Sequence, residues 1–247
     1  MKEFIKKLRR KILYNYRADA RKYARRLNQM GARIDENIHM SVPESVRLDE
    51  TTPYMLEIGE NVWLAEGVSI LTHDASWLIL MREDGEIRGH IGPVRIGNNV
   101  FIGVKSTVLC NVTICDNVII GANAVVSSSI KKPGVYAGNP ARFVMSLDQM
   151  KALRERRQIR EAYLVVRNYY QRFHKEPPRE ILSEYFWIFE KRDSQGIPKE
   201  YVRQMSNCGN AEQCMSRFLE SEAEFDGYED FLVWCRKRME KEEASSK

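Results

Sequence analysis

An aliphatic residue or methionine recurs every six positions along two stretches of the chain. The first series fails once, at Thr52, and consists of Ile34, Met40, Val46, Ile58, Leu64 and Ile70. The second series is unbroken and consists of Ile96, Ile102, Val108, Ile114, Ile120 and Val126. Four residues after many of these positions stands a second small or aliphatic residue, as at Val62, Val68, Val100, Ser106, Val112, Val118 and Ala124. This pattern describes short segments that each turn two side chains inward.

A six-residue period excludes an amphipathic helix, because six residues rotate a 3.6-residue helix well past one full turn. The period fits a chain wound into flat sides of six residues, each a short strand followed by a turn at a corner. Successive coils of such a solenoid stack about 4.8 Å apart, the ordinary spacing of strands in a sheet. We therefore predict a mainly β fold, with a coiled parallel domain over residues 34–145.

The repeat is interrupted once by a long insertion. The spacing from Ile70 to Ile96 is not a multiple of six, so the chain must leave the coil and return in a new phase. We predict an excursion over residues 75–93 that ends in Gly92-Pro93 and packs against something as a long loop. Loops that project from rigid scaffolds often carry function.

The N-terminal domain, residues 1–33, is strongly basic and has apolar residues at helical spacing. Its only acidic residues are Glu3 and Asp19. Its basic residues are Lys2, Lys6, Lys7, Arg9, Arg10, Lys11, Arg17, Arg21, Lys22, Arg25, Arg26 and Arg33. Two interpretations of this amphipathic helix stay open. We favour a cap on the open end of the solenoid. The alternative is that residues 2–33 dock on an anionic membrane surface. No recognition motif accompanies the charge, so we expect no nucleic-acid binding.

The six-residue period ends near Ser146, and helical patterns follow. We predict an α-helical domain over residues 146–247, in which Tyr185, Phe186, Trp187 and Phe189 form a small core.

Composition narrows the class of protein further. Of 247 residues, 43% are hydrophobic and 30% charged, and no apolar run reaches the roughly 18 residues that span a bilayer. The first residues lack the apolar segment of a secretory signal, so we expect a cytoplasmic protein, peripheral to the inner face of the membrane if residues 2–33 dock there. Five scattered cysteines make no disulfide framework.

His73 lies where the coil gives way to the excursion, in the stretch "THDAS". A histidine has an ordinary pKa of about 6.5, which suits a general base at neutral pH. The alternative is a corner histidine that hydrogen-bonds a backbone carbonyl. The four histidines lack the spacing of a three-imidazole zinc site, so we predict no metal. Cys110 and Cys115 have no base next to them in sequence, so we expect no cysteine nucleophile.

The stretch from "VRIGNNVFIG" to "AGNPARFV" closely resembles the hexapeptide-repeat acyltransferases. The resemblance covers roughly residues 34–145 and implies a left-handed parallel β-helix, here with an N-terminal helix and a C-terminal α-helical extension. It also implies that His73 deprotonates an acceptor hydroxyl, which attacks acetyl-CoA directly without an acyl-enzyme intermediate. In relatives a loop carboxylate orients the histidine. The candidates here are Asp74, Glu83, Asp84 and Glu86, of which we choose Asp74 and Glu86.

By the same resemblance, the acetyl-CoA contacts fall at Phe101, Val104, Ala122, Ser127, Ser128 and Arg142. Phe101 stands where relatives often have Trp, and Ser128 where Lys is common. Relatives are homotrimers with the active site between subunits, so His73 of one chain would face late-coil residues of another. "THDAS" and the helical tail resemble sugar O-acetyltransferases of bacterial surface polysaccharide synthesis. The alternatives are an acetyltransferase for serine or an antibiotic, and a non-catalytic trimeric scaffold.

Overall fold

The computed structural model describes residues 12–193 and 197–245, in two compact units, Met1–Met150 and Lys151–Lys247. The first unit is built from short strands. In chain order they are β1 (Arg33–Ile34), β2 (His39–Met40), β3 (Arg47–Leu48), β4 (Leu56–Ile58), β5 (Val62–Leu64), β6 (Ser69–Ile70), β7 (His73–Asp74), β8 (His90–Ile91), β9 (Val94–Ile96), β10 (Val100–Ile102), β11 (Thr107–Val108), β12 (Val112–Ile114), β13 (Val118–Ile120), β14 (Val125–Val126), β15 (Gly134–Ala137) and β16 (Arg142–Met145).

Three sheets form the three sides of a coil. Their strand orders are β1-β4-β9-β12, β2-β5-β10-β13-β15-β16 and β3-β6-β11-β14, and the pairing is parallel throughout except between β15 and β16. In the later coils Val94 pairs with Val112, and Val100 pairs with Val118. One full turn there spans three repeats, so each side takes one six-residue repeat. The predicted inward positions are buried in one continuous core.

The corners of the coil require left-handed backbone. Asn61, Asn99 and Asn117 stack at one corner with φ of 51°, 55° and 60°. Their side chains form a ladder, because each amide donates to the next oxygen at 2.9 and 2.6 Å. Asparagine tolerates this conformation better than most residues. At another corner Gly103 leaves room for the next coil, since an added Cβ would lie 2.6 Å from the Ala122 nitrogen.

The failed repeat position at Thr52 marks a change of register in the first coil. Leu48, and not Val46 or Thr52, is the residue that pairs with Ile70. Val46 and Thr52 are both buried, but neither lies in a strand. Two 3-10 helices, Pro43–Ser45 and Pro53–Met55, lengthen this coil. The predicted six-residue register was therefore wrong between Met40 and Ile58.

The excursion is a helical hairpin and not a loop. Strands β7 and β8 pair antiparallel, and helix α2 (Trp77–Asp84) lies between them. Ile70 before the excursion pairs with Val108 after it, so the coil that carries the excursion is much longer than three regular sides. No residue of α2 is buried, contrary to the expectation that this segment packs against something. The large apolar side chains that the excursion exposes are Leu78, Ile79, Leu80, Ile87 and Ile91.

The described N-terminal segment packs on the first coil. A 3-10 helix, Asn15–Ala18, is followed by helix α1 (Ala20–Gln29), whose N-cap Asp19 accepts a hydrogen bond from Lys22 N at 3.0 Å. Tyr23, Ala24 and Leu27 are buried in the core of the coil. The predicted single helix is thus broken at Asp19, and its first part, residues 2–11, lies outside the described residues. Among the described helices, none is long and apolar enough to cross a membrane.

The second unit is helical. Its elements are α3 (Leu147–Phe173), which begins just before the unit, two 3-10 helices, Arg179–Leu182 and Phe186–Ile188, and then α4 (Lys199–Met205), α5 (Ala211–Glu220) and α6 (Tyr228–Ala244). Phe186 and Phe189 are buried in its core, and Tyr185 and Trp187 pack against it half-buried. Arg192 donates to the carbonyls of Trp187, Ser221 and Glu222 at 2.6, 3.1 and 2.8 Å, and so ties the loops around this core.

Candidate active site

His73 forms a hydrogen-bonded pair with Asp49, a residue of the coil below it. Asp49 follows β3, and its backbone N–H donates to Ile70 O at 3.0 Å, so coil stacking brings it next to the start of the excursion. The Asp49 Oδ2 atom lies 2.6 Å from His73 Nδ1. The Asp49 side chain is only 5% exposed, whereas the His73 side chain is 32% exposed. The pair therefore combines a buried carboxylate with an accessible imidazole.

The surroundings of Asp49 keep it ionised. Burial raises the pKa of this carboxyl, but hydrogen bonds from Thr51, Thr72 and His73 outweigh burial and lower it to about 2. The backbone amides of Thr51 and Thr72 each donate at 3.0 Å. Carboxylates that accept several backbone N–H bonds are stabilised in the charged form. Asp49 is thus an acceptor at neutral pH.

This charge state decides which nitrogen of His73 carries the proton. An ionised carboxylate has no proton to donate, so in the neutral imidazole Nδ1 is the protonated nitrogen and donates to Asp49. The lone pair is then on Nε2. An imidazole held in this tautomer by a carboxylate can accept a proton from a hydroxyl group.

Neither of the two carboxylates chosen from the sequence is hydrogen-bonded to the His73 imidazole. Asp74 accepts hydrogen bonds from the Ser76 N–H at 2.8 Å and the Ser76 hydroxyl at 2.5 Å, and its other oxygen contacts His90 Nδ1. Glu86 contacts Arg88. Asp74 lines the same pocket as His73, but its two oxygens are hydrogen-bonded to Ser76 and His90.

Sequence reasoning missed Asp49 because the repeat register was wrong at this coil. Asp49 directly follows Leu48, the residue that pairs with Ile70, and 24 positions separate it from His73. This coil also contains Glu44 and Glu50, so an acidic residue by itself did not single out Asp49. The position of Asp49 directly after an inward residue became visible only with the correct register, in which Leu48 pairs with Ile70.

His73 lines a pocket of about 300 Å³. Its other lining residues are Leu71, Asp74, His90, Leu109, Cys110, Asn111 and Ser127. Leu71, Leu109 and Ser127 occupy equivalent places in successive coils, since Leu71 N donates to Val108 O and Leu109 N to Val126 O, both at 3.0 Å. The coil thus supplies both apolar and polar lining residues, and the hairpin of β7 and β8 supplies His73, Asp74 and His90.

The six expected acetyl-CoA residues do not meet at this pocket within one chain. Ser127 lines it. Val104 and Ala122 lie at a different corner of the coil, where Asn123 N donates to Val104 O at 2.8 Å. Phe101 is 43% exposed on the outer face of β10, paired with Trp63 and Ile119. The remaining two residues, Ser128 directly after Ser127 and Arg142 at the start of β16, are exposed.

Comparison with known proteins identifies the repeat. Residues 93–128 match the family model described as "Bacterial transferase hexapeptide (six repeats)". Protein CapG of Staphylococcus aureus is 34% identical over 124 residues, which are 50% of this chain and 70% of that protein. The galactoside O-acetyltransferase of Escherichia coli (strain K12) is 35% identical over 95 residues, which are 38% of this chain but only 46% of that enzyme.

Among solved structures, a galactoside acetyltransferase in complex with coenzyme A matches with 27% identity and a TM-score of 0.40, over 59% of this chain and 83% of that one. The expected fold class, a mainly β left-handed parallel β-helix with helices at both ends, is confirmed. The match to the family model, the identity to protein CapG and the three-sided coil with six-residue sides agree on the family. The chain belongs to the bacterial hexapeptide-repeat transferases, a family of acetyltransferases.

Proposed function

We propose that this chain is an acetyl-CoA-dependent O-acetyltransferase that transfers an acetyl group to a sugar hydroxyl in the synthesis of a bacterial surface polysaccharide. The observation that carries the proposal is the Asp49–His73 pair at the wall of a pocket in the coil. Membership of the family supports acetyl transfer. The relative that acts on a galactoside supports a sugar acceptor.

His73 is the general base of the proposed reaction. The acceptor hydroxyl gives its proton to His73 Nε2 while its oxygen attacks the thioester carbonyl of acetyl-CoA. The carbon–sulfur bond then breaks, and the imidazolium returns the proton to the departing thiolate of coenzyme A. Asp49 holds the tautomer and stabilises the imidazolium, since it stays ionised throughout. General-base help of this kind contributes about 10²- to 10⁴-fold in rate.

The separation of the expected donor residues supports a site shared between subunits of a homotrimer. Ser127 lies in the pocket of His73, whereas Val104 and Ala122 lie at another corner of the same coil. We propose that His73 of one chain works with the Val104–Ala122 corner of its neighbour, where the acetyl-CoA arm lies.

Turnover measurements test the reaction and the acceptor class together. Release of free coenzyme A would be followed with a panel of mono- and oligosaccharides, with serine and with an antibiotic bearing a hydroxyl group. Turnover with a saccharide is the expected result, and turnover with serine or the antibiotic instead would overturn the acceptor class. No turnover together with no binding of coenzyme A by calorimetry would favour the non-catalytic scaffold.

Mixing of two inactive variants tests the shared site. His73→Ala lacks the base, and Ala122→Trp fills the exposed donor corner with a large ring. If the site is shared, subunit exchange creates sites that combine an intact His73 with an intact corner, and activity returns. As controls, each variant is taken through the same exchange procedure alone, and each should stay inactive. Failure of mixed, exchanged oligomers to regain activity would show that one chain supplies both parts.

The basic N-terminal segment supports a further part of the proposal, a peripheral contact of residues 2–33 with an anionic membrane that carries a lipid-linked acceptor. Co-sedimentation with vesicles containing an anionic lipid tests it. Binding that falls steeply with added salt is expected, and equal binding to neutral vesicles would contradict it.

A further inference from the structure

A second cluster of reactive side chains lies in the pocket of His73 and has no part in the proposed reaction. It consists of Asp74, His90 and Cys110, whose donor atoms all lie within 4.8 Å of one another. The three residues come from different parts of the fold. Asp74 is in β7, His90 is in β8, and Cys110 is in the turn after β11. The cluster therefore joins a carboxylate, an imidazole and a thiol in one wall of the pocket.

The geometry does not fit a cysteine nucleophile activated by His90. Cys110 Sγ is 3.5 Å from His90 Nε2 and 3.8 Å from Nδ1. These near-equal distances place the sulfur against the ring, because a thiol in line with one nitrogen's lone pair would be much farther from the other. The thiol is therefore not directed at either nitrogen, as proton transfer to His90 would require.

The same contacts fit the ligand set of a metal ion. A carboxylate oxygen, an imidazole nitrogen and a thiolate sulfur are all ligands of Zn²⁺, at about 2.0–2.3 Å from the ion. Tetrahedral ligands at those lengths are about 3.3–3.8 Å apart. The distances from Cys110 to His90 already fall in this range. Asp74 and His90 are joined by a hydrogen bond, which a shared ion would replace.

The cluster also has the freedom to close on an ion. The His90 side chain is 53% exposed, so its ring can turn to direct one nitrogen toward the ion. The Asp74 side chain is 41% exposed, and one of its oxygens accepts hydrogen bonds from the Ser76 hydroxyl and amide. Three protein ligands leave a fourth position of a tetrahedral ion facing the pocket.

We propose that Asp74, His90 and Cys110 form a Zn²⁺ site in the wall of the His73 pocket, with a fourth coordination position open to that pocket. Bound Zn²⁺ would join both strands of the excursion to the coil. The site departs from the sequence expectation of no metal. Its ligands are widely separated in the sequence, and only the hairpin of β7 and β8 brings them together. The inference does not depend on the proposed acetyl transfer.

Metal titration of the full chain tests the site. Zn²⁺ binding would be followed by calorimetry, and Co²⁺ binding by its thiolate charge-transfer absorption. We expect one ion per chain, with the affinity reduced about 10- to 100-fold or more in Cys110→Ser and in His90→Ala, because ligand loss exceeds the effect of losing a supporting partner. Circular dichroism checks that each variant is folded.

Two matched controls keep the test specific. Cys115→Ser removes the other half-buried cysteine of the coil, and His73→Asn removes the other histidine of the pocket. Both should bind Zn²⁺ as the unaltered chain does. The proposal is overturned if the unaltered chain fails to bind Zn²⁺, if Cys110→Ser retains the thiolate absorption, or if His73→Asn and not His90→Ala loses the ion.

Discussion

Two histidine–aspartate pairs lie side by side in this protein and differ in how they are built. His73 is bonded to Asp49, whose side chain is 5% exposed and is held by backbone amides of the coil. His90 is bonded to Asp74, whose side chain is 41% exposed and is held by Ser76 of the excursion. In the first pair the carboxylate belongs to the coil, whereas both residues of the second pair belong to the hairpin of β7 and β8.

The difference shows why the same two residue types suit different tasks. A buried carboxylate with fixed donors holds its imidazole in one tautomer and orientation, as a general base needs. An exposed pair can separate and admit a third partner at little cost, as ligands of a metal ion need. The protein thus anchors its proposed base to a buried carboxylate of the coil and places its proposed ion between exposed side chains of the pocket.

Removal of the two imidazoles should give the largest contrast. We expect His73→Ala to lower kcat for acetyl transfer by about 10²- to 10⁴-fold, since the general base is lost. His90→Ala should lower kcat by far less, because the proposed proton transfer uses His73 and its hydrogen-bond partner Asp49. His90 is hydrogen-bonded to Asp74 instead. Initial rates of coenzyme A release measure both. Undiminished turnover in His73→Ala would remove His73 from the mechanism.

Exchange of the two carboxylates for amides should give the next contrast. Asp49→Asn should lower kcat by about 10²-fold or more, toward the roughly 10⁴-fold that a wrong tautomer can cost. KM for acetyl-CoA should change little, because Asp49 acts through His73. Asp74→Asn is the matched control and should retain most of the rate. Equal losses in the two variants would contradict the assignment of Asp49 as the positioning residue.

The buried hydroxyls beside Asp49 should matter to stability. Thr72 is fully buried, its Oγ1 atom lies 2.7 Å from that of Thr52, and it also hydrogen-bonds Asp49. We expect Thr72→Val to lower the free energy of unfolding by about 1–3 kcal/mol, since buried polar partners are left unsatisfied. Thr52→Val should cost less, and the double variant less than the sum of both. Urea unfolding measures each, and strict additivity would argue against a shared network.

The smallest expected effect is the contribution of Asp49 to stability in acid. Its pKa is about 2 in the folded protein against an ordinary value of 3.8. A lowered pKa stabilises the fold above the unfolded value, and this contribution is lost as pH falls from about 4 toward 2. Thermal midpoints between pH 6 and pH 2.5 should therefore fall more steeply in the unaltered chain than in Asp49→Asn. Equal slopes in the unaltered chain and in Asp49→Asn would contradict this contribution.

Many buried positions of the coil could be predicted, because the spacing of residues along the chain alone decides which side chains face inward. A residue every six positions faces inward whichever coil it belongs to, so Ile102, Val108 and Ile114 were placed correctly from spacing. The prediction was wrong where the spacing changed, at Val46 and Thr52, because two inserted turns altered the register and no local signal states how strands will stack. The break in the repeat predicted an excursion, but the sequence did not predict its helix or its exposed apolar side chains.

One residue of the candidate site could be predicted from the sequence, and its partner could not. His73 stands at a break in the repeat, and that break is visible in the sequence. Its partner is visible only after folding, since Asp49 is one coil away in space and 24 residues away in the chain. Asp74, its neighbour in sequence, lines the same pocket but is hydrogen-bonded to His90.

The sequence by itself determined the period, the break and the histidine at the break, because inward-facing residues must be apolar and a departure from that rule stands out. Tertiary structure decided which carboxylate serves His73, which residues surround Cys110, and which corner of the coil each expected donor residue occupies. Those choices depend on the stacking of one coil on the next. That stacking is set by the lengths of the turns between strands, which the apolar pattern does not encode.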